Sequence, residues 1–96
     1  MKHHKFKSTK ELAKHLGLSE ARGIEAELKA KMMLKIKELV KEKELTHQEV
    51  ADLSGVGRTV ITGIVNSNIQ SITMGRLLKV LVSLGVEPEI RFKESA

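Results

Sequence analysis

The chain has 96 residues, no cysteine and a net charge of +5. This length is enough for one compact domain and too short for two, and the lack of cysteine excludes disulfides, thiolate catalysis and cysteine-ligated zinc. No apolar run approaches the ~18 residues of a membrane helix, and the basic N-terminal stretch lacks the apolar segment of a secretory signal. We therefore expect a single cytoplasmic domain over residues 1–96 with no membrane contact.

The charge is distributed unevenly along the chain. Residues 1–43 contain 12 Lys and Arg against 6 Asp and Glu, whereas residues 44–96 contain 5 against 6. A basic protein of this size suggests a polyanionic partner, usually nucleic acid, although a solvated lysine-rich surface is the alternative. Only Phe6 and Phe92 are aromatic, so the core must be aliphatic, and so thin a core favours a homodimer.

Residues 1–43 are predicted to form an N-terminal arm and a long helix. Ser8 or Thr9 is a possible N-cap for a short helix over about residues 9–16. Ser19 caps the next segment, whose lysines have glutamate partners four residues away on a solvated face. Its apolar residues recur at spacings of three or four and predict an amphipathic helix to about Lys43; they are Ile24, Leu28, Met32, Ile36, Leu39 and Val40.

Residues 44–67 begin with the signal for a third helix. Thr46 followed by Glu49 three residues later is a capping box, and Gly55 ends the helix. Val50, Ala51 and Leu53 are expected to face inward.

The stretch "DLSGVGRTVITGIV" (52–65) allows three interpretations. Its β-branched residues favour a strand, but no partner strand precedes residue 88. Its glycines suggest a phosphate loop, but Val60 stands where the dinucleotide fingerprint requires glycine. Helical spacing places Ile61 and Ile64 on one inward face and leaves a polar stripe of Arg58, Thr62 and Asn66. The stretch is therefore predicted to be the turn and second helix of a helix-turn-helix.

The last third of the chain is predicted to form a helix and a strand. Thr73 caps a packing helix over residues 73–85 that ends at Gly85, with Leu77, Leu78, Leu81, Val82 and Leu84 on its apolar face. Residues 87–93 alternate in the manner of a half-buried strand. A lone strand needs a partner, so it either pairs with the same strand of a second subunit or packs as an extended tail on its own domain.

"LTHQEVADLSGVGRTVITGIVNS" resembles the DNA-binding unit of the Xre, or lambda-repressor-like, family. The matching positions are the packing alanine Ala51, the turn glycine Gly55 and the apolar Val56, Ile61 and Ile64. The order of elements over residues 8–93 is similar to that of a HigA-type antitoxin subgroup. The departures from the family pattern are His47 for glutamine, Gly57 for a Ser/Thr cap, Ser67 for a common glycine, and Gly75 for an acidic residue.

The resemblance implies an all-α, five-helix lambda-repressor-like domain with one short C-terminal β-strand, and a double-stranded DNA partner. The second helix of the motif would enter the major groove, with Arg58 as the main base reader. The residues expected to contact bases are Arg58, Thr59, Thr62, Gly63, which permits close approach, and Asn66. Those expected near phosphates are Thr46, His47, Gln48, Lys43 and Asn68.

Two functional hypotheses follow. The first is a sequence-specific transcriptional repressor that is also an antitoxin, neutralising a protein toxin and repressing its own operon. The second is a protein-interaction module that kept the helix-turn-helix scaffold without reading DNA. RNA binding is disfavoured because the sequence offers no aromatic stacking platform. We expect no enzyme activity, metal or cofactor, since no nucleophile–base set is recognisable.

Overall fold

The computed structural model describes Glu11, residues 19–68 and residues 71–94. These residues form four helices: α1 (Glu20–Glu42), α2 (His47–Ser54), α3 (Arg58–Val65) and α4 (Met74–Ser83). The chain divides into two compact units, Met1–Met32 and Met33–Ala96. Helix α1 begins in the first unit and ends in the second, which also contains α2, α3 and α4.

The predicted fold class of five helices and a C-terminal strand is wrong. The described residues form four helices and no strand, and residues 86–94 have no regular secondary structure. A strand needs ladder partners for its amides and carbonyls, and the described part of the chain offers no second strand. The short helix expected over about residues 9–16 lies outside the described residues, except for Glu11, which is helical.

The start of α1 confirms the predicted cap and the predicted charge pattern. The Ser19 hydroxyl accepts a hydrogen bond from the Arg22 amide at 3.1 Å. Ion pairs with i,i+4 spacing join Lys29 to Glu25 at 3.7 Å and Lys31 to Glu27 at 3.9 Å. Pairs of this spacing on a helix contribute only about 0.3–0.5 kcal/mol each, so they add little to the stability of α1.

The second unit is built around an aliphatic core. Helix α2 packs against both α3 and α4, and every part of the unit from α1 to α4 supplies side chains to the interior. The largest fully buried side chains are Ile36, Val50, Ile61, Ile64, Leu77, Val80 and Leu81. No polar or charged residue is buried among the described residues, so hydrophobic burial stabilises this unit.

Three side chains of α2 and α4 that were expected to face inward are exposed instead. The exposed fractions are 59% for Leu53, 40% for Leu78 and 62% for Val82. The apolar stripes of α2 and α4 are wider than the faces that their neighbours cover, so helical spacing alone overestimates the buried set. These residues form an apolar surface between α2 and α4.

Helices α1, α3 and α4 end in the same turn, with one residue in the left-handed conformation. These residues are Glu44 (φ 52°), Ser67 (φ 55°) and Gly85 (φ 86°). In each turn the next amide bonds back to a carbonyl five residues earlier, which is the Schellman pattern: Leu45 to Val40 (3.0 Å), Asn68 to Gly63 (3.1 Å) and Val86 to Leu81 (3.0 Å). Of these three turns, only the one after α4 has a glycine at the left-handed position, the residue that this conformation favours.

Candidate nucleic-acid interface

The first helix of the motif begins with the predicted capping box. The Thr46 hydroxyl accepts from the Glu49 amide at 3.0 Å, and the Glu49 carboxylate accepts from the Thr46 amide at 2.9 Å. Val50 and Ala51 are buried and fix α2 on the core. The capping box thus uses the Thr46 hydroxyl. His47 and Gln48 are the first two residues of α2, so their backbone amides have no acceptor within the helix.

The turn between α2 and α3 consists of Gly55, Val56 and Gly57. Gly55 has a φ of 75°, and its amide bonds to the Ala51 carbonyl at 2.9 Å; glycine suits this left-handed position. Val56 is 5% exposed and anchors the turn in the core. Gly57 is the N-cap of α3 and makes no side-chain cap bond, so packing rather than capping determines where α3 begins.

The inner face of α3 attaches it to the core. Ile61, Gly63 and Ile64 are buried, which confirms the inward face predicted for the two isoleucines. The Gly63 carbonyl accepts a hydrogen bond from the Asn68 amide at 3.1 Å. The structure therefore places Gly63 on the protein side of α3, away from the exposed face on which it was expected.

The outer face of α3 presents polar groups to solvent. Arg58, Thr59 and Asn66 are exposed, and Thr62 is half-buried between them. Arg58 has no ion-pair partner among the described residues, so its five N–H donors are available to a ligand. The polar stripe predicted from spacing is therefore present as one surface, which we call the reading face and define as Arg58, Thr59, Thr62 and Asn66.

The residues expected near phosphates differ in their availability. Lys43 and Asn68 are exposed. The Gln48 side-chain amide donates to the Asp52 carboxylate at 2.9 Å within α2, and the Thr46 hydroxyl is part of the capping box. Lys43 and Asn68 are thus free to approach a polyanion without first breaking a side-chain hydrogen bond.

A side-chain hydrogen bond connects the two helices of the motif. His47 Nδ1 lies 2.8 Å from Thr62 Oγ1, and both side chains are half-buried. The sequence indicated both residues as DNA contacts but not that they meet, because their juxtaposition depends on the angle that residues 55–57 impose between α2 and α3. The structure thus joins His47, which was expected to contact phosphate, to Thr62, which was expected to contact a base.

A second surface of the same unit is apolar. Between α2 and α4 lies an open groove of about 480 Å³, lined by Leu53, Ser54, Gly75, Leu78, Lys79, Val82 and Ser83. Among the described residues there is no group of three or more His, Asp or Glu side chains that could hold a metal ion. Within that same part of the chain, no helix is long and apolar enough to span a membrane.

Two short helices, a glycine-bounded turn and an exposed polar face on the second helix define a helix-turn-helix protein. A family model described as a helix-turn-helix domain matches residues 12–93. The chain therefore belongs to this helix-turn-helix domain family, and that membership suggests a DNA-binding regulator. Comparisons with curated proteins and with solved structures gave no match.

Proposed function

We propose that this protein is a sequence-specific regulator of transcription that binds double-stranded DNA through α3. The observation that carries the proposal is the reading face, which is polar, solvent-facing and attached to a buried core through Ile61 and Ile64. A helix of this kind fits the major groove, where base edges present distinct donors and acceptors. A recognition surface of this kind requires rigid attachment, because a contact misplaced by ~1 Å loses its hydrogen bonds.

Arg58 is the proposed principal base reader. It is the one charged residue of α3, and its guanidinium can bond guanine O6 and N7 together, a contact that contributes ~1–3 kcal/mol of discrimination. Thr59, Thr62 and Asn66 add neutral contacts to bases. Lys43 and Asn68 are exposed and are the proposed phosphate contacts.

Selection of bound duplexes from a random pool tests this proposal. We expect one enriched sequence, and we expect Arg58→Ala to lower affinity for it by about 10- to 100-fold while lowering non-specific binding far less. Arg76→Ala is the matched control, because Arg76 is an exposed arginine on α4 outside the reading face. Equal losses on specific and random duplexes for Arg58→Ala would limit Arg58 to a phosphate contact.

We further propose that the regulator acts as a homodimer in the cytoplasm, on a palindrome with half-sites about 34–36 Å apart. The exposed apolar side chains support self-association: Leu53, Leu78 and Val82 line the groove, and Ile90 and Phe92 are 72% and 94% exposed. Sedimentation across a concentration series tests this. A monomer at every concentration, with and without the selected duplex, would contradict it.

The antitoxin role is the finer part of the proposal. It is supported by the sequence resemblance and by the apolar groove, a surface suited to a protein partner. Co-expression with the product of the adjacent reading frame is the test: we expect this chain to relieve the growth arrest that a toxin causes. Leu53→Ser combined with Val82→Ser is expected to reduce that relief if the groove is used, with Leu34→Ser as the control, because Leu34 is an equally exposed leucine on α1 that does not line the groove.

A protein-interaction module without DNA reading is the second candidate. It is favoured by the weak charge of the motif, since α2 carries Glu49 and Asp52 and α3 only Arg58, and by the same groove. A DNA reader shows affinity that falls steeply with salt, with a slope set by the number of phosphates contacted. A flat salt dependence and no enriched sequence would favour the interaction module. That the chain is a binding protein and not an enzyme stays a prediction.

A further inference from the structure

The hydrogen bond between His47 and Thr62 determines how Thr62 can meet a base. Thr62 lies on the reading face, and its hydroxyl has one hydrogen to donate and lone pairs to accept. His47 Nδ1 is 2.8 Å from that hydroxyl. The direction of this bond depends on which ring nitrogen of His47 carries the hydrogen.

The two neutral forms of the ring give Thr62 opposite roles. If Nδ1 accepts, the threonine hydrogen is used in the protein and Oγ1 can only accept from a base. If Nδ1 carries the hydrogen, Thr62 accepts from His47 and its own hydrogen is free for a base acceptor. In the major groove adenine N6 and cytosine N4 are donors, whereas adenine N7, guanine O6 and N7 and thymine O4 are acceptors. A Thr62 hydroxyl that can only accept therefore bonds adenine or cytosine and not guanine or thymine.

The position of His47 selects between the two forms when DNA is bound. His47 is the first residue of α2, at a helix N-terminus of the kind that faces phosphate in a docked helix-turn-helix. A phosphate oxygen only accepts, so a neutral ring contacts it by donating from Nε2. In the neutral ring the single hydrogen is then on Nε2, and Nδ1 accepts from Thr62.

We propose, resting on the DNA-binding function above, that His47 is a positioning residue that makes Thr62 an obligate acceptor. Thr62 then selects a base with a major-groove amino group, adenine or cytosine. His47 acts through Thr62 and does not itself contact a base. The half-burial of both side chains restricts their rotation, which keeps this direction fixed.

The first test uses the duplex obtained by selection. Thr62→Val removes the hydroxyl at nearly constant shape and identifies the base pair that Thr62 reads. We expect Thr62 to contact the amino group of the adenine or cytosine in that pair. Replacing this base by an analogue without the major-groove amino group (2-aminopurine for adenine, 2-pyrimidinone for cytosine) should lower wild-type affinity roughly three- to tenfold, as for one hydrogen bond, and leave the affinity of Thr62→Val unchanged. An unchanged wild-type affinity with the analogue would overturn the proposal.

The second test separates positioning from structural support. His47→Ala is expected to relax the preference at the Thr62 base pair, because the released hydroxyl can rotate and donate, while the preference at the Arg58 base pair stays. His47→Asn, whose side-chain oxygen can stand in for Nδ1, should restore part of it and serves if His47→Ala folds poorly. Arg76→Ala, an exposed position on α4 outside the reading face, is the control and should not alter base preference. Because His47→Ala also removes the phosphate contact, some loss of affinity for every duplex is expected; a loss that leaves the preference at the Thr62 base pair unchanged would overturn the proposal.

Nitrogen-15 NMR of the ring reads the mechanism directly. In the complex we expect the hydrogen on Nε2 and none on Nδ1; a hydrogen on Nδ1 would overturn the proposal. A selection that enriches no sequence would overturn the DNA-reading function and this inference together. An enriched sequence with an unchanged preference in His47→Ala would overturn the inference alone.

Discussion

Residues 58–65 and residues 86–94 both contain side chains that favour strands, yet only the first segment adopts regular structure. Thr, Val and Ile occupy six of the eight positions in residues 58–65, which nevertheless form α3. Residues 86–94 alternate apolar and charged side chains and form neither strand nor helix. Local side-chain preference alone would therefore predict a strand in both segments, and neither segment is one.

Burial explains the difference between the two segments. A β-branched residue in a helix costs at most about 0.7 kcal/mol relative to alanine, whereas fully burying one isoleucine contributes about 1.5–3 kcal/mol. Ile61 and Ile64 are both fully buried in α3, so packing exceeds the local preference. Ile90 and Phe92 are 72% and 94% exposed, so no comparable term fixes the conformation of residues 86–94.

The largest expected effect comes from removing this packing. Ile61→Ala should lower the free energy of unfolding by about 2–5 kcal/mol, because it removes buried methyl groups and leaves a cavity. Ile90→Ala, the matched change in the other segment, should alter it by less than about 0.5 kcal/mol. Urea unfolding followed by circular dichroism measures both. Equal effects at the two positions would contradict the explanation from burial.

The turn that precedes α3 offers a second test with two glycines of opposite character. Gly57→Ser should stabilise by about 0.5–1 kcal/mol, because φ of −59° suits serine, a new Cβ meets nothing within 4 Å, and serine can cap the helix. Gly55→Ser should destabilise by about 1–2 kcal/mol, because φ is 75° there. Thermal unfolding measures both, and shifts of the same sign would contradict this account of the turn.

The end of α3 provides a smaller effect in the favourable direction. Ser67→Gly should stabilise by roughly 0.5–1 kcal/mol, since relief of the left-handed strain at φ 55° exceeds the backbone entropy that glycine loses on folding. Glu44→Gly at the end of α1, with φ 52°, should behave alike. A loss of stability in both variants by thermal unfolding would show that the left-handed residues are not strained.

The sequence was sufficient where a structure depends on neighbours along the chain. The capping box of Thr46 and Glu49, the turn glycine Gly55 and the cap Thr73 all depend on residues three or four positions apart, and the structure confirms them. The exposure of Leu53 and the contact between His47 and Thr62 depend on how helices pack across the turn. Spacing within a single helix does not contain that information.

The strand predicted over residues 87–93 failed because a strand depends on a partner elsewhere in the structure. Alternation over residues 87–93 indicates which side chains would share a face if a strand formed, but it does not supply the partner that a strand requires. The structure therefore contradicts the predicted strand, although apolar and charged residues do alternate over residues 87–93. The same alternation leaves Ile90 and Phe92 exposed together, which connects this segment to the proposed homodimer.

The smallest expected effect on folding is at Phe92. Phe92→Ser should change the free energy of unfolding of dilute protein by less than about 0.5 kcal/mol, because a side chain that is 94% exposed loses no packing. If the exposed segment contributes to the homodimer, the same variant should weaken self-association, since burying a phenylalanine contributes about 1.5–3 kcal/mol per copy. Sedimentation of Phe92→Ser beside Lys93→Ser separates loss of apolar contact from a change in the segment as a whole. A dimer unaffected by Phe92→Ser would exclude this side chain from the interface and make the groove between α2 and α4 the next apolar surface to test.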